Sequence, residues 1–390
     1  MPETSREIGM RLARHAPAGR PMPLAALVAR DPSRFPPIWP DLTTQLFHSG
    51  TAALAMALRL ALDTLPAGPQ RRIAVPAYGC PNLVAAALWA GGTPAYYDLS
   101  PDTLAPETET VKALLDTGEN VVLHVDAFGA DTCPANLDGA TSSRLVNDLA
   151  QSFAPYSSQW RPRAPYSVLS LGRAKPLSLT FGGVLLAAID TEPTPSFAGQ
   201  GPHQTAVPHW QLALRAALYA LSLNPGVFGL LARIPALGIG QTRFAPLTDV
   251  ERLPESWRRT VTAAVTSVRQ SLGTFCAQTA AMLRLAQESG ARVPRSAALA
   301  ESRSPLWRVP VVCPTPEAAK MLAAEGAHLG VSRLYGKSLP QIVGMPAEEA
   351  AEHWPNAVWI AERLITLPTH GRLGSGEEND LRTMLRHLAA

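Results

Sequence analysis

The 390-residue chain predicts an α/β fold: a mostly parallel central sheet covered by helices, followed by a smaller C-terminal α+β domain. Two patterns carry that expectation. Short apolar runs of strand length alternate with helical segments through the first half, and one long apolar-periodic segment then separates this region from a shorter mixed one. A hydrophobic share of 46% with 17% charged residues is the balance of an ordinary globular chain able to bury a large core.

In order, residues 1–40 read as an irregular, proline-interrupted N-terminal arm. Ala52 to Leu62 is a strong helix former. The runs Arg72–Val75, Pro94–Asp98, Val121–Val125, Arg144–Asp148, Ser167–Ser170 and Gly183–Ala187 read as strands of the first sheet. Glu255 to Gly290 should be a connecting helix. Beyond it, Trp307–Val312 reads as a strand, and Pro316–Glu325 and Glu377–Leu388 as helices of the smaller domain. The expected division is 1–40 arm, 41–254 large cofactor-binding domain, and 255–390 connecting helix with small domain. Thirty-seven prolines are nearly twice the usual share of about 5%, but they punctuate junctions and form no low-complexity tract.

Several function classes are excluded. A net charge of +3 with dispersed basic residues leaves only the pairs Arg71-Arg72 and Arg258-Arg259, too short for a phosphate track, so no nucleic-acid partner is expected. Cys80, Cys133, Cys276 and Cys313 form no metal-ligand spacing, the histidines show no i, i+4 pairing, and no metal is expected. The N-terminus lacks a signal-peptide core, which points to a cytoplasmic location. His209 to Gly240 is rich in Leu and Ala, yet Arg215, Asn224-Pro225, Arg233 and Pro235 interrupt it before the ~18 to 20 apolar residues of a membrane span. It is expected as two short helices packed in a domain or dimer interface, with a surface docking on a membrane or partner as the other reading.

The chemistry concentrates on four segments. Lys175 lies in the run Ser170-Leu-Gly-Arg-Ala-Lys-Pro-Leu-Ser-Leu-Thr-Phe-Gly-Gly183, Asp148 closes an apolar strand, Gln151 follows three residues later, and Ser49-Gly50-Thr51 opens the first helix. An aldehyde cofactor held as a Schiff base needs a lysine, and its pyridine nitrogen needs a facing carboxylate to stay protonated. Lys175 and Asp148 suit those roles, because the carboxyl ends of parallel strands are where ligands sit in open α/β sheets. A phosphate suits Gly50 and Thr51 at a helix N-terminus, with Ser170 as a second hydroxyl. Bland alternatives exist for each: Asp148 as a cap for Leu149-Ala-Gln151, and Ser49 as an ordinary N-cap. No Walker or dinucleotide glycine pattern competes for the phosphate. The combination points to pyridoxal 5'-phosphate.

From about Phe47 to its end the chain resembles the DegT/StrS family of pyridoxal-phosphate-dependent sugar aminotransferases, of fold type I. The resemblance rests on Ser49-Gly-Thr-Ala-Ala-Leu54, Val75-Pro-Ala-Tyr-Gly-Cys-Pro-Asn82, Ala90-Gly-Gly-Thr-Pro-Ala-Tyr-Tyr-Asp98, His124 through Gly129 with Pro134, Asp148-Leu-Ala-Gln-Ser152, and Ser170 through Gly183. Gly330-Val-Ser-Arg-Leu-Tyr335 and Leu364-Ile-Thr-Leu-Pro-Thr-His370 extend it. It implies that Lys175 bonds the cofactor and shuttles the proton, and that Asp148 pairs with the ring nitrogen. It further implies that Gln151 contacts the ring-hydroxyl side and that Gly50, Thr51 and Ser170 hold the phosphate.

Two positions depart from the family pattern. Where an aromatic ring usually covers the cofactor stands Cys80, with Tyr78 two residues earlier as a possible cover or a simple core aromatic. The loop that usually delivers an asparagine from the partner subunit reads Gly238-Ile-Gly-Gln-Thr-Arg-Phe244, where Gln241, Thr242 and Arg243 are the polar substitutes. His124, Arg333 and Tyr335 are weaker candidates for the cofactor or substrate side.

The expected function is transfer of an amino group from an amino-acid donor, glutamate or glutamine, to a keto group of a nucleotide-linked sugar, by a homodimer with shared active sites. One alternative is a related pyridoxal-phosphate enzyme with a non-sugar substrate or non-transaminating chemistry. Another is a non-catalytic binding or regulatory module of the same fold.

Overall fold

The computed structural model describes residues 17, 19–28, 38–65, 71–118, 120–134, 143–188, 208–234, 241–300 and 304–387. Most of the expected N-terminal arm lies outside them; its described part holds one helical turn, Ala25–Val28.

Seven strands form one sheet in the order β1-β7-β6-β5-β4-β2-β3. They are β1 (Leu42–Phe47), β2 (Arg72–Pro76), β3 (Thr93–Tyr97), β4 (Asn120–Val125), β5 (Leu145–Asp148), β6 (Tyr166–Ser170) and β7 (Gly183–Ala188). Strands β3, β2, β4, β5 and β6 pair in parallel, while β7 runs antiparallel to both β6 and β1. The sheet is therefore mostly parallel, as the apolar runs predicted. Every residue of β5 is buried, since a strand covered on both faces reads as a continuous apolar run rather than an alternating one.

Alternate strand residues feed two cores. Val121, Leu123 and Val146 pack on one face with α1 (Gly50–Leu62), while Val122 and Leu145 join a core on the opposite face with Val261, Ala264 and Val265. Helix α1 is buried on nearly all sides because small alanines let it sit close to the sheet, and its Leu54, Met56, Leu58 and Leu62 then contribute about 1.5–3 kcal/mol each by burial. Helices α2 (Asn82–Trp89) and α3 (Thr108–Asp116) follow β2 and β3.

Strand β1 is not visible in the apolar pattern. Its centre, Thr43-Thr44-Gln45, is polar, which an edge position with one partner strand tolerates.

Helices α4 (His209–Ser222) and α5 (Pro225–Ala232) meet at an angle of 92°, broken at Asn224-Pro225. Among the described residues no single helix is long and apolar enough to cross a membrane. Leu212, Ala216, Tyr219 and Leu223 bury the inner face of α4, but Trp210, Leu214, Leu218 and Leu221 stand exposed on the outer one. The pair of helices was expected; in this chain its outer face is uncovered by the other described residues.

Helix α6 (Trp257–Glu288) runs between cores, with Val261, Ala264, Val265 and Val268 in the one on the sheet face opposite α1 and Met282, Leu283 and Ala286 in a third. That third core lies against an antiparallel pair, β8 (Arg308–Val312) and β9 (Leu364–Pro368). Helices α7 (Pro316–Glu325), α8 (Pro355–Arg363) and α9 (Ser375–Arg386) complete this region.

Candidate active site

Each strand of the parallel set ends at the same edge, so the loops that follow them converge there. One cavity at that edge is lined by Gly50, Thr51, Tyr78, Cys80, Asp148, Gln151, Ser170 and Lys175, together with Tyr335 and a set of apolar side chains. All eight residues singled out in the sequence thus share one cavity wall.

The anion end is built by close backbone packing. Ser49 caps α1, its Oγ accepting from the Ala52 N–H at 3.1 Å. The bland reading of Ser49 is therefore correct, and it leaves the first-turn N–H groups of Gly50 and Thr51 without intrahelical acceptors. A Cβ on Gly50 would lie 2.6 Å from both Cβ and Oγ of Ser170, and one on Gly183 would lie 2.6 Å from the Gly50 Cα. Only glycine allows these backbones to approach so closely.

Asp148 ends β5 and is 8% exposed. Its Oδ1 accepts from the Ala150 N–H at 2.8 Å, the turn-capping contact weighed from sequence, although no helix follows. Burial pushes its carboxyl above the usual carboxylate range; the Ala150 N–H and the Lys175 charge pull it back only in part. The site is therefore short of positive charge opposite Asp148.

Lys175 sits on a loop after β6. Its Nζ is 5.8 Å from the centroid of the Trp307 ring. The preceding residue, Ala174, has a left-handed φ of 57° and donates its N–H to the Tyr219 hydroxyl at 3.0 Å, so α4 braces the loop.

Gln151 is held at both ends of its amide: Oε1 accepts from the Phe128 N–H at 2.7 Å and Nε2 reaches the Tyr335 hydroxyl at 3.5 Å. Tyr335 stands on the cavity wall, edge-to-face with Tyr78 at 5.5 Å between centroids and 71° between planes. Burial raises the hydroxyl pKa of both tyrosines well above the ordinary value. Tyr335 is the residue that sequence reading left aside and the fold brings in. Its only signal was the Gly330–Tyr335 motif. Cys80 also lines the cavity, with its thiol pushed up by burial.

Other candidates fall elsewhere. His124 is fully buried, with Nε2 at 3.1 Å from the Thr132 hydroxyl and 3.4 Å from Asp126, and it lies outside the cavity lining, as a core histidine does. Arg333 donates to the Ala361 carbonyl at 2.9 Å and fastens backbone, not ligand. Thr242 approaches the Leu334 carbonyl at 3.5 Å, while Gln241 and Arg243 are exposed; residues 238–240 lie outside the described set. No group of three or more metal-ligating side chains occurs among the described residues.

Residues 46–142 match the DegT/DnrJ/EryC1/StrS aminotransferase family. The resemblance read from the motifs is to this family. Several solved structures share the fold. A DegT/DnrJ/EryC1/StrS aminotransferase from Brucella abortus superposes with a TM-score of 0.58 at 16% identity, covering 99% of this chain and 97% of the other. A putative sugar aminotransferase from Streptococcus pneumoniae in its PMP form gives 0.59 at 14%, covering 100% and 98%. The 3-amino-5-hydroxybenzoic acid synthase gives 0.56 at 14%, covering 88% and 86%. No curated protein matches the chain in sequence. The matched segment is thus that family's, and the fold of the chain is the one these aminotransferase structures share.

Proposed function

We propose that the protein transfers an amino group from an amino-acid donor, glutamate or glutamine, to a keto group of a nucleotide-linked sugar, with pyridoxal 5'-phosphate at the Lys175 cavity. The observation that carries this reading is the shared cavity of Lys175, Asp148 and the Gly50-Thr51-Ser170 cradle. The residues fit the group: glycines at 50 and 183 leave room for backbone N–H groups to meet a phosphate, and the charge deficit opposite Asp148 suits a protonated ring nitrogen.

When bound, the cofactor supplies an electron sink for the pair released as a C–H bond beside nitrogen breaks. This chain's residues do the rest. The Lys175 amine takes that proton and returns it to the neighbouring carbon. Asp148 keeps the ring nitrogen protonated from a site that excludes water. Gln151, clamped by Phe128 and Tyr335, bears on the ring-hydroxyl side. Gly50, Thr51 and Ser170 hold the phosphate so that the ring stays in register with Lys175.

The division into a cofactor domain at 41–254 and a small domain from 255 onward, a cytoplasmic homodimer and shared active sites belong to the same proposal. A second reading is favoured by Cys80 at the position of the usual aromatic: a non-sugar substrate or non-transaminating chemistry, compatible with a fold that also serves the 3-amino-5-hydroxybenzoic acid synthase.

A spectrum of the purified protein with pyridoxal phosphate tests the choice. A visible band bleached by glutamate supports transamination. A band shifted without bleaching supports the second reading, and a band unaltered by any amino donor means a module without turnover.

A further inference from the structure

A second cavity of about 400 Å³ lies across the Lys175 loop, and its wall includes Pro176, Leu177 and Ser178 but no residue of the first cavity. Its polar lining is Arg20, Ser178, Ser267, Ser271, His370 and Arg372, with no Asp or Glu among the lining residues. We propose that this cavity binds an oxyanion, a carboxylate or phosphate group, on the Arg20 and Arg372 guanidiniums beside His370.

The first argument is charge. Neither arginine forms an ion pair with a described residue. Arg20 donates to the Gln278 Oε1 at 3.0 Å and the Thr369 carbonyl at 2.6 Å, and Arg372 donates to the carbonyls of Gly19 at 2.8 Å and Pro17 at 2.6 Å. These acceptors are neutral, and each fork of five N–H groups keeps three to spare. Arg308, buried close by, likewise bonds only to oxygens of Thr366 and Gly330. Among the described residues, three cations thus share one region without an ion-pair partner, an arrangement that costs free energy until a counter-charge arrives.

The second argument is His370, which is 8% exposed. Its Nδ1 accepts from the Arg372 N–H at 3.2 Å, which assigns the ring proton to Nε2, and buried Nε2 has no partner. Burial first, then the charges of Arg372, Arg308 and Arg20, push its pKa down to about 2. The potential that bars a proton from His370 attracts an anion to the same place.

The third is rigidity. Arg20 lies 3.9 Å above the centroid of Phe275, and its hydrogen bonds to Gln278 and Thr369 fix its plane, so the donors are held before a ligand arrives.

Titration calorimetry at pH 8 on protein loaded with pyridoxal phosphate and freed of excess, with inorganic phosphate and separately with glutarate, a dicarboxylate without an amino group to react at Lys175, tests the site. Wild-type protein should bind at least one of them, more weakly as salt rises. Arg20→Met and His370→Phe should each weaken binding by about tenfold or more, the loss expected for one charge-assisted hydrogen bond. Leu218→Ser, an exposed change that lines neither cavity, should leave it unchanged. Tighter phosphate binding assigns the site to phosphate, and tighter glutarate binding to a substrate carboxylate. Absence of binding in wild type, retention in both cavity variants, or loss in Leu218→Ser overturns the proposal. Should a variant fail to fold, ¹⁵N resonances of the His370 ring in wild type decide: a bound anion raises its pKa, and an unchanged titration overturns the site.

Discussion

The two cavities on either side of the Lys175 loop handle buried charge in opposite ways. In one, Asp148 and Lys175 share a cavity wall, and the lysine's charge offsets the cost of burying the carboxylate only in part. In the other, Arg20, Arg372 and Arg308 surround a neutral His370 without any carboxylate. On the function proposed, the first arrangement is the reactive one, because a cofactor nitrogen would complete it and a lysine would remain to move protons. The second can only hold, since nothing in its wall changes protonation near neutral pH. A few Å of loop separate a chemical site from an electrostatic one.

The largest expected effect follows from removing the reactive amine. Lys175→Ala should abolish borohydride-fixed attachment of pyridoxal phosphate while the chain still folds; peptide mapping that finds label on another lysine would end the assignment of the first cavity. Asp148→Asn comes next. It keeps shape but removes the compensating charge, and turnover should fall by roughly 10² to 10⁴-fold with cofactor still bound, the range for losing a key electrostatic group. Wild-type-like turnover would move the role to another acid.

A smaller effect concerns the cavity wall. Tyr78 and Tyr335 already fill it edge-to-face, so Cys80→Phe should overpack it by about 1–3 kcal/mol and weaken cofactor affinity, while Tyr78→Ala should loosen it. Tighter binding in Cys80→Phe would mean instead that one ring face is bare.

The smallest sharpens the second cavity through acid stability. The folded His370 pKa of about 2 lies below the unfolded 6.5, so the unfolded chain takes up a proton that the folded one refuses. Stability from this position is complete above pH 6.5 and falls as pH drops toward 2. Urea midpoints should therefore decline less steeply between pH 6.5 and 4 in His370→Phe than in wild type; parallel declines would show that His370 charges freely.

Much of the first region was legible because its physics is local. Six strands of the sheet contain short apolar runs, and Asp148 at a strand's carboxyl end, Gly50-Thr51 at a helix start and Lys175 in the loop after a strand stand where patterning marks them. Strand β1 escaped because Thr43, Thr44 and Gln45 carry no apolar period. The second cavity escaped for another reason. Arg20, Ser178, Ser267 and His370 come from four distant stretches, and arginine bonded to neutral oxygens, with no carboxylate partner among the described residues, is a property of three-dimensional neighbours that no spacing encodes. Tyr335 lies between: a motif marked its segment, but only packing against Tyr78 and Gln151 set it on the wall.

The crowding at Gly183, Gly50 and Ser170 constrains how this protein can vary over descent. A side chain at 183 would run into the backbone of residue 50, and one at 50 would run into Ser170. Three positions, one of them more than a hundred residues of chain from the other two, are therefore a single evolutionary character: a change at one survives only with an answering shift of the others, and a lineage that loses the cradle should lose all three together.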